Sequence, residues 1–192
     1  QNGFAFAFRR EDKATPTTEM DIIRSSAPGA ADDKAAGVKV ELNKFYHVTA
    51  TFTDKQAKLY INGKLANFKS YSPSTISYDV NGKSASGGEF TVGAMRKSSP
   101  SNAVVDDITV WSRELSTDEI KSHSCDAAAS KKAMTASKDA ALVLYYNFGP
   151  GDVPGLNVLD KSKNSLDGKI YAPENSSVKW LAEDVKQYKC SD

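Results

Sequence analysis

The residues whose types and spacing could do chemistry lie in a short polar run near the carboxyl end of the sequence. Asp160, Ser162 and Asn164 stand at alternate positions of the run DKSKNS. This spacing lets several oxygen atoms converge from one tight loop, as hard cations such as calcium require. The run is not an EF-hand loop, because Ser165 and Tyr171 hold the positions where that loop needs glycine and glutamate. The same residues also suit an Asx-type turn with solvated carboxylates, so both interpretations stay open.

The two cysteines, Cys125 and Cys190, occur in no CxxC or Cys/His spacing, which argues against a zinc site. A disulfide between them would join the tail to the body of the protein and, in the chain-entropy model, stabilise it by roughly 4 kcal/mol. Two unpaired thiols are the alternative. Asn175 begins an N-S-S pattern, which accepts N-linked glycans. Together these features favour an extracellular protein, either secreted or at the cell surface.

The overall composition argues against several classes of partner. The 192 residues include 25 Lys and Arg against 24 Asp and Glu, so no excess of charge attracts nucleic acid or an anionic membrane. No stretch approaches the roughly 20 apolar residues that cross a bilayer, so we expect no membrane insertion. The strand-like run FAFAF begins at Phe4, and we expect the sequence to be a module of a longer precursor.

The elements that must position these residues are mostly strands. Apolar and polar residues alternate within the stretch 45–65, and Asn62-Gly63 supplies the two positive-φ residues of a type I′ hairpin turn. Similar alternations elsewhere raise the expected number of strands to about ten. Ser116 and Glu119 form a capping box for one short helix. The sequence therefore predicts an all-β fold, a two-sheet antiparallel sandwich with one short helix.

Two polar stretches lie between the predicted strands. The stretch 69–89 is rich in Ser and Gly and long for a hairpin loop, and such loops are often functional. Tyr71 and Tyr78 within it could stack on sugar rings or could pack over a sheet edge. The stretch 126–140 is dominated by Ala, Ser and Lys, which predicts an exposed helix or a connector.

Three motifs in a fixed order resemble the laminin G-like and pentraxin-like branch of the concanavalin A-like lectin/glucanase superfamily. A W/F-x-H-V strand precedes an L-Y-x-N-G hairpin, and a D-D/E-x-x-x-W/Y-x-R-x-L-S-x-x-E-I strand and helix close the sheet. Each motif alone is weak, but the set is a strong indication of a concanavalin A-like jelly roll. The matching positions are Phe45, His47, Val48, Leu59, Tyr60, Asn62, Gly63, Asp106, Asp107, Trp111, Arg113, Leu115, Ser116, Glu119 and Ile120.

The resemblance also implies a metal site. In the family a calcium ion is often held between a polar loop and the Asp-Asp strand, which implies Asp160 and Asp106 as the first ligands. Asp107 and Asn164 are the weaker candidates. Two carboxylates that lie close together repel unless a cation or a base intervenes, which favours such an ion. A structural or ligand-bridging calcium is therefore the expected cofactor.

The order of the motifs departs from the family at one point. The family's Y-x-F-x-x-G…D-x-S-x-N segment usually comes first, whereas its counterpart here, YYNFGPG…LDKSKNS, follows the helix. Either this tail closes the same sandwich or it opens a second copy. We expect closure, because an isolated partial sheet would be unstable. The expected domain therefore spans 1–192, with 126–140 as the exposed connector or helix and 141–192 closing the sandwich.

The sequence argues against catalysis. Glucanase members of the superfamily carry an E-x-D-x-x-E strand whose outer glutamates act as nucleophile and acid/base. The run EMDIIR begins with Glu19 but ends with Arg24, and retaining hydrolysis needs two carboxyl groups about 5 Å apart. His47 and His123 lie in different elements without a Ser, Cys or Asp placed to form a triad, so we expect both to be structural or solvated.

The leading hypothesis is a non-catalytic, lectin-like recognition or adhesion module within a larger secreted or surface protein. Its expected partner is a glycan, bound with or without calcium, or an extracellular protein. One alternative is a protein–protein interaction or structural domain with no glycan affinity. Another is a divergent glycoside hydrolase. A shared fold does not establish sugar binding, so the lectin hypothesis rests partly on the resemblance.

Overall fold

The polypeptide forms two units, Gln1–Thr91 and Val92–Asp192, which are described separately. The structure is a computed structural model that describes residues 3–9, 17–25, 33–70, 90–95, 98–100, 103–125, 130, 132, 134, 139–149 and 157–170. Tyr71, Tyr78, Asn175 and Cys190 lie outside these residues, so the predictions made for them stay predictions.

The first unit contains two antiparallel three-stranded sheets, ordered β1-β2-β3 and β4-β5-β6. In the first sheet, Met20 of β2 lies opposite Phe8 on one side and Val38 on the other, and its side chain is buried. The strands are β1 (Gly3–Arg9), β2 (Thr17–Ser25), β3 (Asp33–Glu41), β4 (Val48–Phe52), β5 (Gln56–Ile61) and β6 (Lys64–Ser70).

The β5–β6 hairpin turns as its sequence predicts. Asn62 and Gly63 have φ values of 52° and 76°, the left-handed conformations that a type I′ turn requires. Asn62 also extends the pairing of β4 with β5 by one residue. Its backbone N–H donates to His47 O at 2.8 Å, and its side-chain Oδ1 accepts from His47 N–H at 2.9 Å. The turn residue therefore fixes the register of the sheet as well as the direction of the chain.

Alternate residues of β4 and β5 build the core of this unit. Ala57 and Leu59 are fully buried, and partly buried apolar side chains from β3, β4 and β5 pack around them. Alternation puts these side chains on one face of the sheet, because successive residues of a strand point to opposite sides. The packed residues are Val38, Val48, Ala50, Phe52 and Ile61.

The second unit contains three short antiparallel strand pairs and a helix. The β9–β10 pair positions the residues discussed below, and the β11–β12 pair closes the polar loop 159–167 at its base. The elements are β7 (Ala94–Met95), β8 (Ser98–Pro100), β9 (Ile108–Trp111), α1 (Thr117–Cys125), β10 (Leu142–Tyr146), β11 (Asn157–Val158) and β12 (Gly168–Lys169).

The predicted capping box is present at the start of α1. The Ser116 N–H donates to Glu119 Oε2 at 2.8 Å, and the Glu119 N–H donates to Ser116 Oγ at 3.2 Å. Each side chain satisfies a backbone N–H that the first helical turn leaves without a partner. The helix extends to Cys125, and Ile120 and Ser124 are its buried residues.

The stretch 126–140 is helical at residues 130, 132 and 134, which is one of its two predicted forms. It is not wholly exposed, since Met134 retains 5% exposure and packs against Leu142 and Tyr145. Met134 is a flexible apolar side chain that fills a gap in the core. The Ala- and Lys-rich composition of the stretch gave no indication of this contact.

The predicted fold class is confirmed. All strand pairs of the described residues are antiparallel, and these residues include one short helix, α1. Both features are consistent with a concanavalin A-like all-β sandwich. Within the same residues, we find no helix with the length and apolar character to span a bilayer.

Candidate functional site

The loop 159–167 lies along the open edge of β10. Lys161 N–H donates to Tyr145 O at 2.8 Å, and Tyr145 N–H donates to Asp160 Oδ1 at 2.9 Å. Both backbone groups of Tyr145 that point away from β9 are therefore satisfied by the loop. An unpaired strand edge invites association with another chain, so this loop protects β10 from it.

The other two residues of the predicted ligand set also contact β10. The Ser162 hydroxyl lies 3.0 Å from Val143 O and 2.7 Å from Asp160 Oδ2, and it can donate its one proton to either. Asn164 Nδ2 donates to Leu142 O and Val143 O at 3.1 and 2.8 Å. The alternate spacing of Asp160, Ser162 and Asn164 thus places three side chains along one strand edge.

The carboxylate of Asp160 is surrounded by donors. Besides Tyr145, the N–H groups of Ser162 and Leu166 donate to it at 2.8 and 2.9 Å, and the Ser162 hydroxyl lies within reach. Burial raises the pKa of the Asp160 carboxyl, but these hydrogen bonds lower it by more, so its pKa lies below the usual value. Asp160 is therefore ionised at neutral pH and organises the loop.

Two of the predicted calcium ligands, Asp160 and Asp107, contact Tyr145. Its N–H donates to Asp160, and its phenol O–H donates to Asp107 Oδ1 at 3.3 Å, so the two carboxylates contact opposite ends of one residue. The described residues include no group of three His, Cys, Asp or Glu side chains that could hold a metal ion. Four donors also match the four lone-pair positions of the Asp160 carboxylate, and a cation would have to displace one of them. Calcium at this loop stays a prediction.

A second group of oxygen atoms lies at one end of the β9–β10 pair. Tyr146 pairs with Ile108, so Asn147 and Asp107 follow as neighbours across the two strands. Asp107 has a φ of 50°, and its N–H donates to Asp106 Oδ1 at 2.9 Å. We name Asp106, Asp107 and Asn147 the acceptor cluster, because ionised carboxylates and an amide oxygen accept hydrogen bonds.

Asn147 is the member of the acceptor cluster that sequence reasoning missed. Its side-chain Oδ1 is buried and has no hydrogen-bond partner in the described part of the chain. Buried polar atoms without partners are rare and call for an explanation such as a bound group. The next residue, Phe148, has a φ of 47°, which is uncommon for a bulky side chain. The only signal in the sequence was a lone asparagine directly after a strand.

Apolar surface adjoins the acceptor cluster. Val104 and Val105 directly precede the two aspartates and are 47% and 43% exposed. The end of the β9–β10 pair therefore combines hydrogen-bond acceptors with exposed apolar side chains.

Tyr146 couples β10 to the far end of the loop. Its hydroxyl donates to Leu166 O at 2.7 Å, and burial together with Asp160 and Asp167 raises the pKa of its phenol. The ring lies over Gly168, where an added Cβ would come within 2.9 Å of the hydroxyl oxygen. Glycine at this position therefore makes room for the tyrosine.

This contact yields a prediction that a double-mutant cycle can check. We expect Gly168→Ala to lower the free energy of unfolding by about 1 kcal/mol, because the tyrosine must move and its hydrogen bond to Leu166 weakens. Tyr146→Phe alone is expected to cost about 1 kcal/mol. The double variant should lose clearly less than the sum, since the clashing oxygen is gone. Strict additivity in urea unfolding would contradict the contact.

Arg113 joins three elements at the other end of the β9–β10 pair. Its guanidinium contacts Glu119 of α1 at 2.6 Å and Asp139, which precedes β10, at 2.8 Å. Its Cζ also lies 5.3 Å from the centre of the Trp111 ring. The sequence motif includes Arg113 and Glu119. It does not include Asp139, which forms the second ion pair with Arg113.

The remaining predicted residues are placed as follows. Cys125 ends α1 with its sulfur 3.5 Å from Ser124 Oγ, and its pairing with Cys190 stays a prediction. Glu19 lies opposite Arg9 and Lys39 in the β1-β2-β3 sheet, whereas Arg24 lies opposite Phe4 and Asp33. His123 stacks on Trp111, with ring centres 6.0 Å apart.

Comparison with known proteins identifies a family for most of the chain. A laminin G family model, described as "Concanavalin A-like lectin/glucanases superfamily", matches residues 1–121. A crystal structure of an S-layer domain-containing protein from Clostridium thermocellum ATCC 27405 is similar, with 18% identity and a TM-score of 0.34. The alignment covers 65% of this chain and 64% of that one, so the chain spans less than two thirds of that structure. The comparison with curated proteins gives no match.

Proposed function

Because the chain belongs to the laminin G-like part of the concanavalin A-like lectin/glucanase superfamily, we propose that it is a non-catalytic recognition module. In this proposal it is part of a larger secreted or cell-surface protein and binds a glycan at the acceptor cluster. The single observation that carries the proposal is the buried Oδ1 of Asn147, which has no hydrogen-bond partner among the residues that the structure describes.

A sugar hydroxyl would supply the donor that Asn147 lacks, with the side chain turned outward to admit it. Neighbouring hydroxyl groups of one sugar ring can donate to acceptors at the ends of two paired strands, and Asn147 and Asp107 adjoin the last pair, Tyr146 and Ile108. The C–H face of the ring can rest on apolar side chains, a role open to Val104 and Val105. Backbone held in left-handed conformations at Asp107 and Phe148 supports the proposal, since such strain is common at binding sites.

A protein ligand is the second candidate, and a different surface favours it. Leu65 and Phe68 of β6 are 51% and 55% exposed. Both lie on a strand at the edge of the β4-β5-β6 sheet. Exposed apolar side chains on an edge strand suit contact with another protein. In this alternative the module would adhere to an extracellular protein without affinity for glycans.

The third alternative, a divergent glycoside hydrolase, has less support. Arg24 stands where the second catalytic glutamate would be, and a guanidinium cannot act as the acid/base. Residues with the roles of nucleophile and acid would have to come from elsewhere in the chain. Turnover of any β-glucan by the purified protein would establish this alternative.

A glycan array probed with the purified protein, in calcium and in EDTA, tests the proposal. Binding to one class of neutral or amino sugars is expected, because carboxylates and an amide oxygen favour hydroxyl and ammonium donors. Binding that persists in EDTA would show that the protein binds the glycan without calcium. The absence of binding under both conditions would overturn the glycan proposal and leave the protein ligand.

Calcium is a proposal of its own, with Asp106, Asp107, Asp160 and Asn164 as its candidate ligands. If an ion binds the folded protein alone, the midpoint of thermal unfolding must rise with calcium. At a free concentration one hundred times the Kd, the expected gain is about 2.7 kcal/mol. Equal midpoints in calcium and in EDTA would contradict the site.

A further inference from the structure

The ring of Trp111 on β9 is contacted by two side chains that can carry positive charge. His123, in the last turn of α1, stacks on it with an angle of 17° between the ring planes and centres 6.0 Å apart. The Arg113 guanidinium lies 5.3 Å from the same ring centre. Trp111 Nε1 is buried and has no hydrogen-bond partner among the described residues, so packing and stacking hold the ring.

The ion pairs around Arg113 keep their charges throughout the range of pH in which histidine titrates. Glu119 and Asp139 both accept hydrogen bonds from the guanidinium, which raises the pKa of Arg113. Arg113 and the Ser116 N–H lower the pKa of Glu119 to about 2. The pKa of Asp139 is lowered by the Ala141 N–H and by Arg113. Between pH 5 and 8, His123 is therefore the member of this group whose charge changes.

The surroundings of His123 favour its neutral form. Burial, the larger effect, and the nearby Arg113 lower the pKa of the imidazole, while Glu119, one helical turn earlier, raises it. These are the charged groups that act on the ring from α1 and from the turn after β9, and Asp139 acts through Arg113. The net effect is a lowered pKa, so protonation is less favourable when the ring is stacked than when it is in water.

We propose that His123 is a pH-sensitive latch between α1 and β9. When neutral, its ring stacks on Trp111 and holds the last turn of the helix. When protonated, it brings a second positive charge to a half-buried site beside Arg113, and hydration draws the imidazolium into the solvent. The last turn of α1 then loosens while Ile120 and the capping box hold its beginning.

The direction of the pH effect follows from linkage. A histidine whose pKa is lowered by folding binds more protons in the undocked state than in the docked state once the pH falls below about 6.5. The stability of the docked helix is therefore constant above that pH and is lost as the pH falls toward the pKa of the stacked ring. The latch is closed at neutral pH and opens in mild acid.

Tryptophan fluorescence tests the latch. The protein has two tryptophans, so Trp180→Phe leaves Trp111 as the reporter. Between pH 8 and pH 5 we expect its emission to change with a midpoint below about 6.5, because a charged imidazole quenches a stacked indole and its departure exposes the ring. His123→Phe keeps an aromatic ring at this position and should abolish the transition. His47→Gln, which alters the only other histidine, should leave it unchanged.

Hydrogen exchange followed by mass spectrometry provides a second test with the unaltered sequence. After correction for intrinsic exchange rates, amides at the end of α1 should lose protection severalfold, and by at most about tenfold, between pH 7.5 and 5.5, and His123→Phe should retain it. The latch is overturned if the fluorescence transition persists in His123→Phe. It is equally overturned if the corrected protection of α1 is the same at both values of pH.

Discussion

Replacing Asp160 by alanine is expected to lower the free energy of unfolding by roughly 2–4 kcal/mol. The substitution leaves the N–H groups of Tyr145, Ser162 and Leu166 without their acceptor, and each orphaned donor costs about 1–3 kcal/mol, less where water can reach it. Urea unfolding measures this loss directly. Asp160→Asn should lower the free energy of unfolding by less than Asp160→Ala does, since its amide retains one acceptor oxygen.

The matched control for Asp160 is Lys163→Ala, in the same loop but with an exposed side chain. Its effect should stay within about 0.5 kcal/mol. Because the pKa of Asp160 is below its unfolded value, its contribution is present above about pH 4 and is lost as the pH falls through the folded pKa. A loss no larger than the Lys163 control would show that the carboxylate does not organise the loop.

The second large effect is expected at Asn147, where binding and stability should change in opposite directions. Asn147→Leu has a similar volume but lacks the buried acceptor. We expect glycan affinity to fall roughly tenfold to one hundredfold, because a sugar hydroxyl would lose its partner in a buried site. The free protein should be as stable as the original or more stable by about 1 kcal/mol, since an unsatisfied buried oxygen is removed.

Titration calorimetry with a glycan selected on the array, together with urea unfolding, measures both quantities. Lys163→Ala, which alters an exposed side chain of the loop 159–167, should leave the affinity unchanged and the free energy of unfolding within about 0.5 kcal/mol. If Asn147→Leu destabilised the protein and left its affinity intact, the amide would be a structural residue instead of a ligand-binding one.

Local sequence signals predicted the local structure well. The Asn62-Gly63 turn and the capping box of Ser116 and Glu119 depend on residues close together in the chain, and each is present with the expected partners. The family resemblance likewise predicted the fold class, because its motifs combine strand alternation with these turn and cap residues.

The environment of Asp160 was harder to foresee. The spacing of Asp160, Ser162 and Asn164 predicts that several oxygen atoms converge from one loop, and in the structure these side chains contact β10. The spacing does not show that β10 lies beneath them, because that contact depends on pairing between distant parts of the chain. Polar side chains at alternate positions can either bind the backbone at a strand edge or coordinate a cation, so the spacing alone does not distinguish the two.

The residues that sequence reasoning missed become informative only through tertiary contacts. Asn147 is one asparagine among many in the sequence, and only packing shows that its oxygen is buried without a partner. Asp139 joins Arg113 across 26 positions of the chain. His123 was expected to be structural or solvated, and its stacking on Trp111 depends on how α1 packs against β9.

The most direct test of the proposed recognition site is an NMR titration of the isotope-labelled protein with a glycan selected on the array. The proposal predicts that the amide shifts concentrate at 104–107 and 145–148, around the acceptor cluster. Shifts that concentrate on β6 around Leu65 and Phe68, or a protein that binds no glycan, would contradict it.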